Sequence, residues 1–193
     1  LYGAITNGIQ TIQIAKELKI PVMYRLLDIS HGLIGIPIIK NLAKKYEHKV
    51  LSNTTKILAT TPDLARYAIE MGAKTNNVES FHLGVNTHDF KPLPKDLELA
   101  KSLKISSNDT VIVFIGTLYH FSGLIELVSK FNEIEENNQN IKFIIVGGGP
   151  SYGKLQKIIS KNNLNNKIIL TNFKPQKDLP KYISLADICI NPF

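Results

Sequence analysis

Val111-Ile112-Val113-Phe114-Ile115-Gly116-Thr117-Leu118-Tyr119-His120-Phe121-Ser122-Gly123-Leu124 is the stretch that decides how this chain folds. A run of apolar, mostly β-branched residues ends at Gly116, and a short loop follows. From Gly123 onward Leu124, Leu127, Val128, Phe131 and Ile134 recur at helical spacing. The pattern is strand, glycine loop, helix. Such a loop leaves N–H groups free at the helix N-terminus, where the dipole favours an anion. A second unit of the same kind follows. Its strand is Phe143-Ile144-Ile145-Val146, its loop Gly147-Gly148-Gly149-Pro150, and its helix carries Leu155, Ile158 and Ile159. Two such loops at the carboxyl ends of parallel strands predict a phosphate-bearing ligand between them.

Working outward, strands and helices alternate along the chain. Val22 to Leu27 is a strand ending in the polar loop Asp28-Ile29-Ser30-His31-Gly32, and loops of that kind carry function more often than strands do. Ile39, Leu42, Ala43, Tyr46 and Val50 form one apolar stripe, with Lys40, Lys44, Lys45 and His48 off it. This is a basic amphipathic helix, either half-buried in its domain or touching a membrane surface. Lys56 to Thr61 is a strand, and Thr61-Pro62-Asp63 opens a helix that Gly72 ends. Val78 to Leu83 is a further strand. Later come a strand at Lys167 to Leu170, a helix capped by Asp178, and a final strand and turn from Ala186 to Pro192, in which Cys189 is expected to be a core residue. The alternation predicts parallel sheets flanked by helices. Thr87 to Pro94 has two prolines and no periodicity. The expected organisation is one domain over residues 1–88, a linker over 89–94 and a second domain over 95–193.

Composition narrows the function classes. The chain has 193 residues, 44% of them hydrophobic, enough for substantial cores. Its 23 basic and 16 acidic residues give +7, spread along the chain, which suits anionic small ligands or a membrane surface. No tight Lys/Arg cluster interleaved with aromatics points to nucleic acid. One cysteine allows no intrachain disulfide framework and fits a reducing compartment. We therefore expect a cytoplasmic protein, with peripheral contact at the inner face of the membrane. No His/Cys/Asp cluster has metal-ligand spacing, so no metal or other cofactor is expected. Paired carboxylates suited to a hydrolase, a Gly-x-Ser-x-Gly elbow and a Walker loop are all missing.

Several stretches, in this order, resemble the GT-B glycosyltransferases of family 4, the glycosyl transferases group 1. They are Lys56 to Leu64, Leu83-Gly84-Val85-Asn86 with Phe90-Lys91-Pro92, Phe114-Ile115-Gly116, Ser122-Gly123-Leu124, Ile145 to Pro150, and Leu179 to Tyr182 with Ala186-Asp187-Ile188 and Asn191-Pro192. The resemblance implies an α/β fold of two Rossmann-like, doubly wound parallel-sheet domains, both incomplete in this chain. The first domain would bind a glycan or lipid acceptor, in the setting of a cell-envelope glycan. The second would bind a nucleoside-diphosphate sugar. The implied activity is retaining hexosyl transfer by a longer parent enzyme, this piece being inactive alone. The alternatives are a non-catalytic nucleotide-sugar-binding module and a GT-B-like nucleotide-sugar epimerase.

The resemblance also implies roles for residues. Gly116 and Gly123 would let the backbone approach the diphosphate. Thr117 and Ser122 stand where the family has cationic side chains, and would donate hydrogen bonds without charge. His120 is a further phosphate contact. Gly147, Gly148 and Gly149 either line the same cleft or make a plain turn. Phe173 and Lys174 stand where the nucleotide base is read. His31, with Asp28 beside it, lies in the loop whose histidine contacts the transferred sugar. The family's acidic motif is expected beyond Phe193.

Overall fold

The protein is described here by a computed structural model covering residues 1–34, 36–135 and 140–192. The chain divides into two compact units, Leu1–Val85 and Asn86–Phe193.

The first unit comprises α1 (Ala4–Glu17), β1 (Met23–Leu26), a 3-10 turn (Ser30–Leu33), α2 (Pro37–Asn53), β2 (Lys56–Ala59), α3 (Pro62–Glu70) and β3 (Val78–Ser80). Its strands are parallel and ordered β1-β2-β3, with Tyr24 opposite Ile57 and Ile57 opposite Val78. Period-two alternation sends Tyr24, Leu26, Ile57 and Ala59 into one core with Ala4, Val50, Leu51 and Ala68. Thr61 caps α3 by accepting the Leu64 N–H at 3.2 Å. The stripe expected on α2 divides. Ala43 and Val50 are buried, whereas Ile39, Leu42 and Tyr46 are exposed. The side chain that completes the buried face is Glu47.

The second unit comprises α4 (Leu97–Ser102), β4 (Thr110–Ile115), α5 (Leu124–Ser129), α6 (Phe131–Glu135), β5 (Ile141–Val146), α7 (Tyr152–Lys161), β6 (Ile168–Asn172), α8 (Leu179–Leu185) and β7 (Ile188–Cys189). All strands are parallel, in the order β6-β5-β4-β7. Both faces of this sheet are buried. Phe114, Phe143 and Ile145 meet α5 and α7 residues on one side, while Val111, Val113, Ile144 and Val146 meet α8 on the other. The continuous apolar runs follow from this two-sided burial.

Three local expectations are corrected. The helix anticipated from Leu124 to Ile134 is two short helices, the first ending at Ser129 and separated from the second by Lys130. Asp178 makes no side-chain cap, because a 3-10 turn runs through it directly into α8. Cys189 is exposed and not core, since β7 is a two-residue strand at the sheet edge.

Asp187 secures that edge. It accepts from the Lys95 ammonium at 2.7 Å and the Val111 N–H at 2.8 Å. Those bonds, Lys95 first, hold its carboxyl below the usual range. A folded-state value below the unfolded one means the stabilisation is present above about pH 4 and fades as pH falls through the folded value. The Asp187→Asn variant is therefore expected to lose less of its urea midpoint between neutral and acidic pH than the parent protein does.

Candidate functional site

The order β6-β5-β4-β7 contains a reversal. The chain steps from β4 to β5 to β6 on one side, then crosses back to place β7 on the other side of β4. In open parallel sheets the crevice at such a switch point, outside the carboxyl ends of the strands, is where ligands bind. The loops that meet at this edge follow β4 (residues 116–123), β5 (147–150), β6 (173–175) and β7 (190–192).

Backbone contact locks them together. Gly116 N donates to Val146 O at 3.0 Å, Leu118 N to Gly148 O at 2.9 Å, Ser151 N to Leu118 O at 2.9 Å and Gly147 N to Asn172 O at 3.1 Å. A Cβ on Gly147 would lie 1.9 Å from the Gly116 carbonyl oxygen, and Gly147 has φ +143. Gly148 lies against the Phe173 ring, and Gly149 against the backbone of Leu118. Close packing between loops is thus the visible reason for all three glycines. Gly123 caps α5 with φ +67, and a Cβ there would meet the Pro192 carbonyl oxygen at 2.9 Å. This brings the loops after β4 and β7 together on the two sides of the switch.

The amides of the first loop are less free than its glycines implied. Those of Gly116, Leu118, Tyr119 and Ser122 are bonded within the unit. Among the described residues, no acceptor takes the N–H of Thr117, His120 or Gly123. Ser122 is buried, and its hydroxyl donates to the Tyr119 carbonyl at 2.8 Å, so its hydrogen closes the turn and is not offered to a ligand. Leu118 fills the core beneath the loop. Above it stand Tyr119 and Phe121, stacked at 5.0 Å, with the exposed His120 edge-on to Phe121. Thr117 is half-buried, with its methyl toward Gly149. Phe173 and Lys174 are exposed, and Asn172 Oδ1 accepts the Phe173 N–H at 2.8 Å. The structure therefore gathers Gly116, Thr117, Gly123, Gly147, Gly148, Gly149 and Phe173 at one edge.

His31 and Asp28 belong to the first unit. Asp28 is exposed. His31 is held by a residue that sequence reading missed. Glu47, fully buried, accepts the Ser30 N–H at 3.1 Å and the His31 N–H at 3.2 Å, and lies 2.8 Å from His31 Nδ1. A carboxylate oxygen only accepts, so the imidazole carries a hydrogen on Nδ1. The Tyr67 hydroxyl is 3.2 Å from the same Nδ1. Burial, then the Glu47 charge, push that phenol above its usual range, so it stays protonated. The signal for Glu47 was present in the spacing of Ala43, Glu47, Val50 and Thr54, where one acidic residue interrupts a buried helix face. Among the described residues, no group of three His, Cys, Asp or Glu side chains could hold a metal ion.

The family described as Glycosyl transferases group 1 matches residues 96–193. The chain belongs to this family. The matched part is the second unit with its switch-point edge. Relatives of this group 1 member include the alpha-monoglucosyldiacylglycerol synthase of Acholeplasma laidlawii, 23% identical over 204 residues, covering 99% of this chain and 51% of that protein. The 2-deoxystreptamine glucosyltransferase of Streptomyces kanamyceticus is 23% identical over 127 residues, covering 65% of this chain and 33% of that protein. Among solved structures, Anabaena HepE in complex with UDP-glucose superposes with a TM-score of 0.75 at 17% identity, covering 97% of this chain and 51% of that one. That likeness shows the GT-B fold. The chain spans between a third and about half of the length of these relatives.

Proposed function

We propose that the full protein is a retaining, family 4 glycosyltransferase that moves a hexosyl group from a nucleoside-diphosphate sugar to a glycan or lipid acceptor. The observation that carries this reading is the switch-point edge between β4 and β7, with the unbonded amides of Thr117, His120 and Gly123 in a group 1 family member. In this reading the second unit holds the donor. Its loop amides stabilise the departing diphosphate without a metal, while the acceptor hydroxyl attacks the anomeric carbon and the leaving diphosphate oxygen takes both the bonding pair and the hydroxyl proton. Phe173 and Lys174 face the nucleotide base. The first unit carries the acceptor side, where His31 Nε2 hydrogen-bonds a hydroxyl of the transferred sugar. UDP-glucose bound to HepE, and the diacylglycerol glycolipid named in the Acholeplasma relative, support a UDP-sugar donor and a lipid acceptor.

The test uses the full-length protein. Calorimetry with UDP- and GDP-sugars is paired with a transfer assay over lipid and glycan acceptors. One donor is expected to bind and to be consumed only when an acceptor is present. His31→Ala should bind the donor normally and transfer about 100-fold more slowly, with a lowered urea midpoint because the buried Glu47 carboxylate loses its imidazole partner. The uncharged Thr117 and the internally bonded Ser122 favour one second reading, a nucleotide-sugar-binding module without catalysis. Binding with no transfer to any acceptor would establish that reading. Conversion of the donor to its epimer without acceptor would replace both.

A further inference from the structure

The first unit carries a surface that its own core does not use. Ile38 is 84% exposed, and Leu33, Ile36, Ile39 and Leu42 are exposed around it at the start of α2. Ile38, Leu42, Lys45 and Lys49 follow one another at intervals of four, three and four, so aliphatic and cationic side chains share one outward helix face. On the adjoining face Asn41, Lys44, Lys45 and His48, with Met71 from the end of α3, line an open cavity of about 490 Å3. None of the lining residues is acidic. Among the described residues, no carboxylate pairs with Lys40, Lys44, Lys45 or Lys49. No helix among them is long and apolar enough to cross a membrane.

We propose that this face docks the protein onto an anionic bilayer. Ile38, Ile39 and Leu42 enter the boundary between headgroups and acyl chains, and the cavity of Asn41, Lys44, Lys45 and His48 receives a lipid phosphate. Aliphatic side chains on a convex helix gain little from a free anion in water, which would use the cavity alone. A bilayer of negative charge satisfies both halves together, since an interfacial helix combines apolar burial with attraction of its lysines to acidic headgroups. The proposal deepens the function reading by placing the acceptor in a membrane. It rests on that reading only there, because docking itself requires neither donor nor transfer.

The experiment is cosedimentation of the full-length protein with phosphatidylcholine vesicles, with and without phosphatidylglycerol. Binding is expected to the mixed vesicles and to weaken with added salt. A Lys44→Ala/Lys45→Ala variant should bind about 25-fold more weakly, at about fivefold for each lysine. An Ile38→Asp/Leu42→Asp variant should lose binding while keeping its circular dichroism and urea midpoint, since both side chains are exposed. Equal partition to the two vesicle types overturns the proposal, as does unaltered binding by both variants. So does inorganic phosphate binding at the cavity without vesicle binding, or a dimer in solution that buries Ile38 and Leu42. Donor calorimetry on the same sample separates the two readings. Vesicle binding without donor binding sinks only the transferase, and donor transfer without vesicle binding sinks only the docking.

Discussion

Gly147→Ala is expected to destabilise the second unit by about 4 kcal/mol or more, a large part of the 5–15 kcal/mol that holds a domain folded. The added Cβ would stand 1.9 Å from the Gly116 carbonyl oxygen, and at φ +143 the backbone is already in a region that side chains rarely adopt. The opposing atom is main chain, so no rotamer change relieves the overlap. One loop must withdraw, and the bonds from Gly116 N to Val146 O and from Leu118 N to Gly148 O are the first to stretch. Donor binding should fall together with stability, because the same loop carries the unbonded amides. Gly153→Ala provides the control. That residue lies in α7, and a Cβ there meets nothing within 4 Å. It should be neutral or up to about 1 kcal/mol stabilising. Urea denaturation of the full-length protein, followed by circular dichroism and by donor calorimetry, reads both. Equal midpoints for Gly147→Ala and the parent would show that the two loops do not interlock as described.

Glu47→Ala is expected to cost about 3 kcal/mol and to reduce transfer at least as much as His31→Ala does. Removing the carboxylate leaves the Ser30 and His31 amides, and the imidazole Nδ1, without their acceptor at the foot of a buried helix face. Glu47→Gln separates the two effects. Its remaining carbonyl oxygen can still accept one amide, so most of the stability should return. Its NH2 group cannot accept from Nδ1, so the imidazole loses the partner that holds its Nδ1 hydrogen. Transfer should therefore stay low in Glu47→Gln while the urea midpoint recovers. If Glu47→Gln were as active as the parent, Glu47 would be a loop anchor only, with no part in orienting His31.

The sequence made some of this legible and hid the rest for identifiable reasons. The β4 and β5 runs announced themselves because both faces of their sheet are buried, which leaves no polar alternation to blur the pattern. The cap at Thr61 was readable because its partner, the Leu64 amide, is three residues away. The long helix expected after Gly123 failed because the apolar spacing of Leu124, Val128, Phe131 and Ile134 does not report a break at Lys130. Cys189 looked like core because its neighbours are apolar, but edge position is a property of strand order and not of local composition.

The sequence alone determined which segments become strands and that β4 and β5 end in glycine loops, because periodicity and turn chemistry act over a few residues. Only the tertiary structure decided that β7 returns to the far side of β4, that Gly147 presses on Gly116, that the Ser122 hydrogen is spent on Tyr119, and that Glu47 holds His31. Most of these join groups sixteen or more residues apart, and the Ser122 bond depends on how its loop turns. Whether such groups meet is set by how sheets and helices pack, which no local pattern encodes.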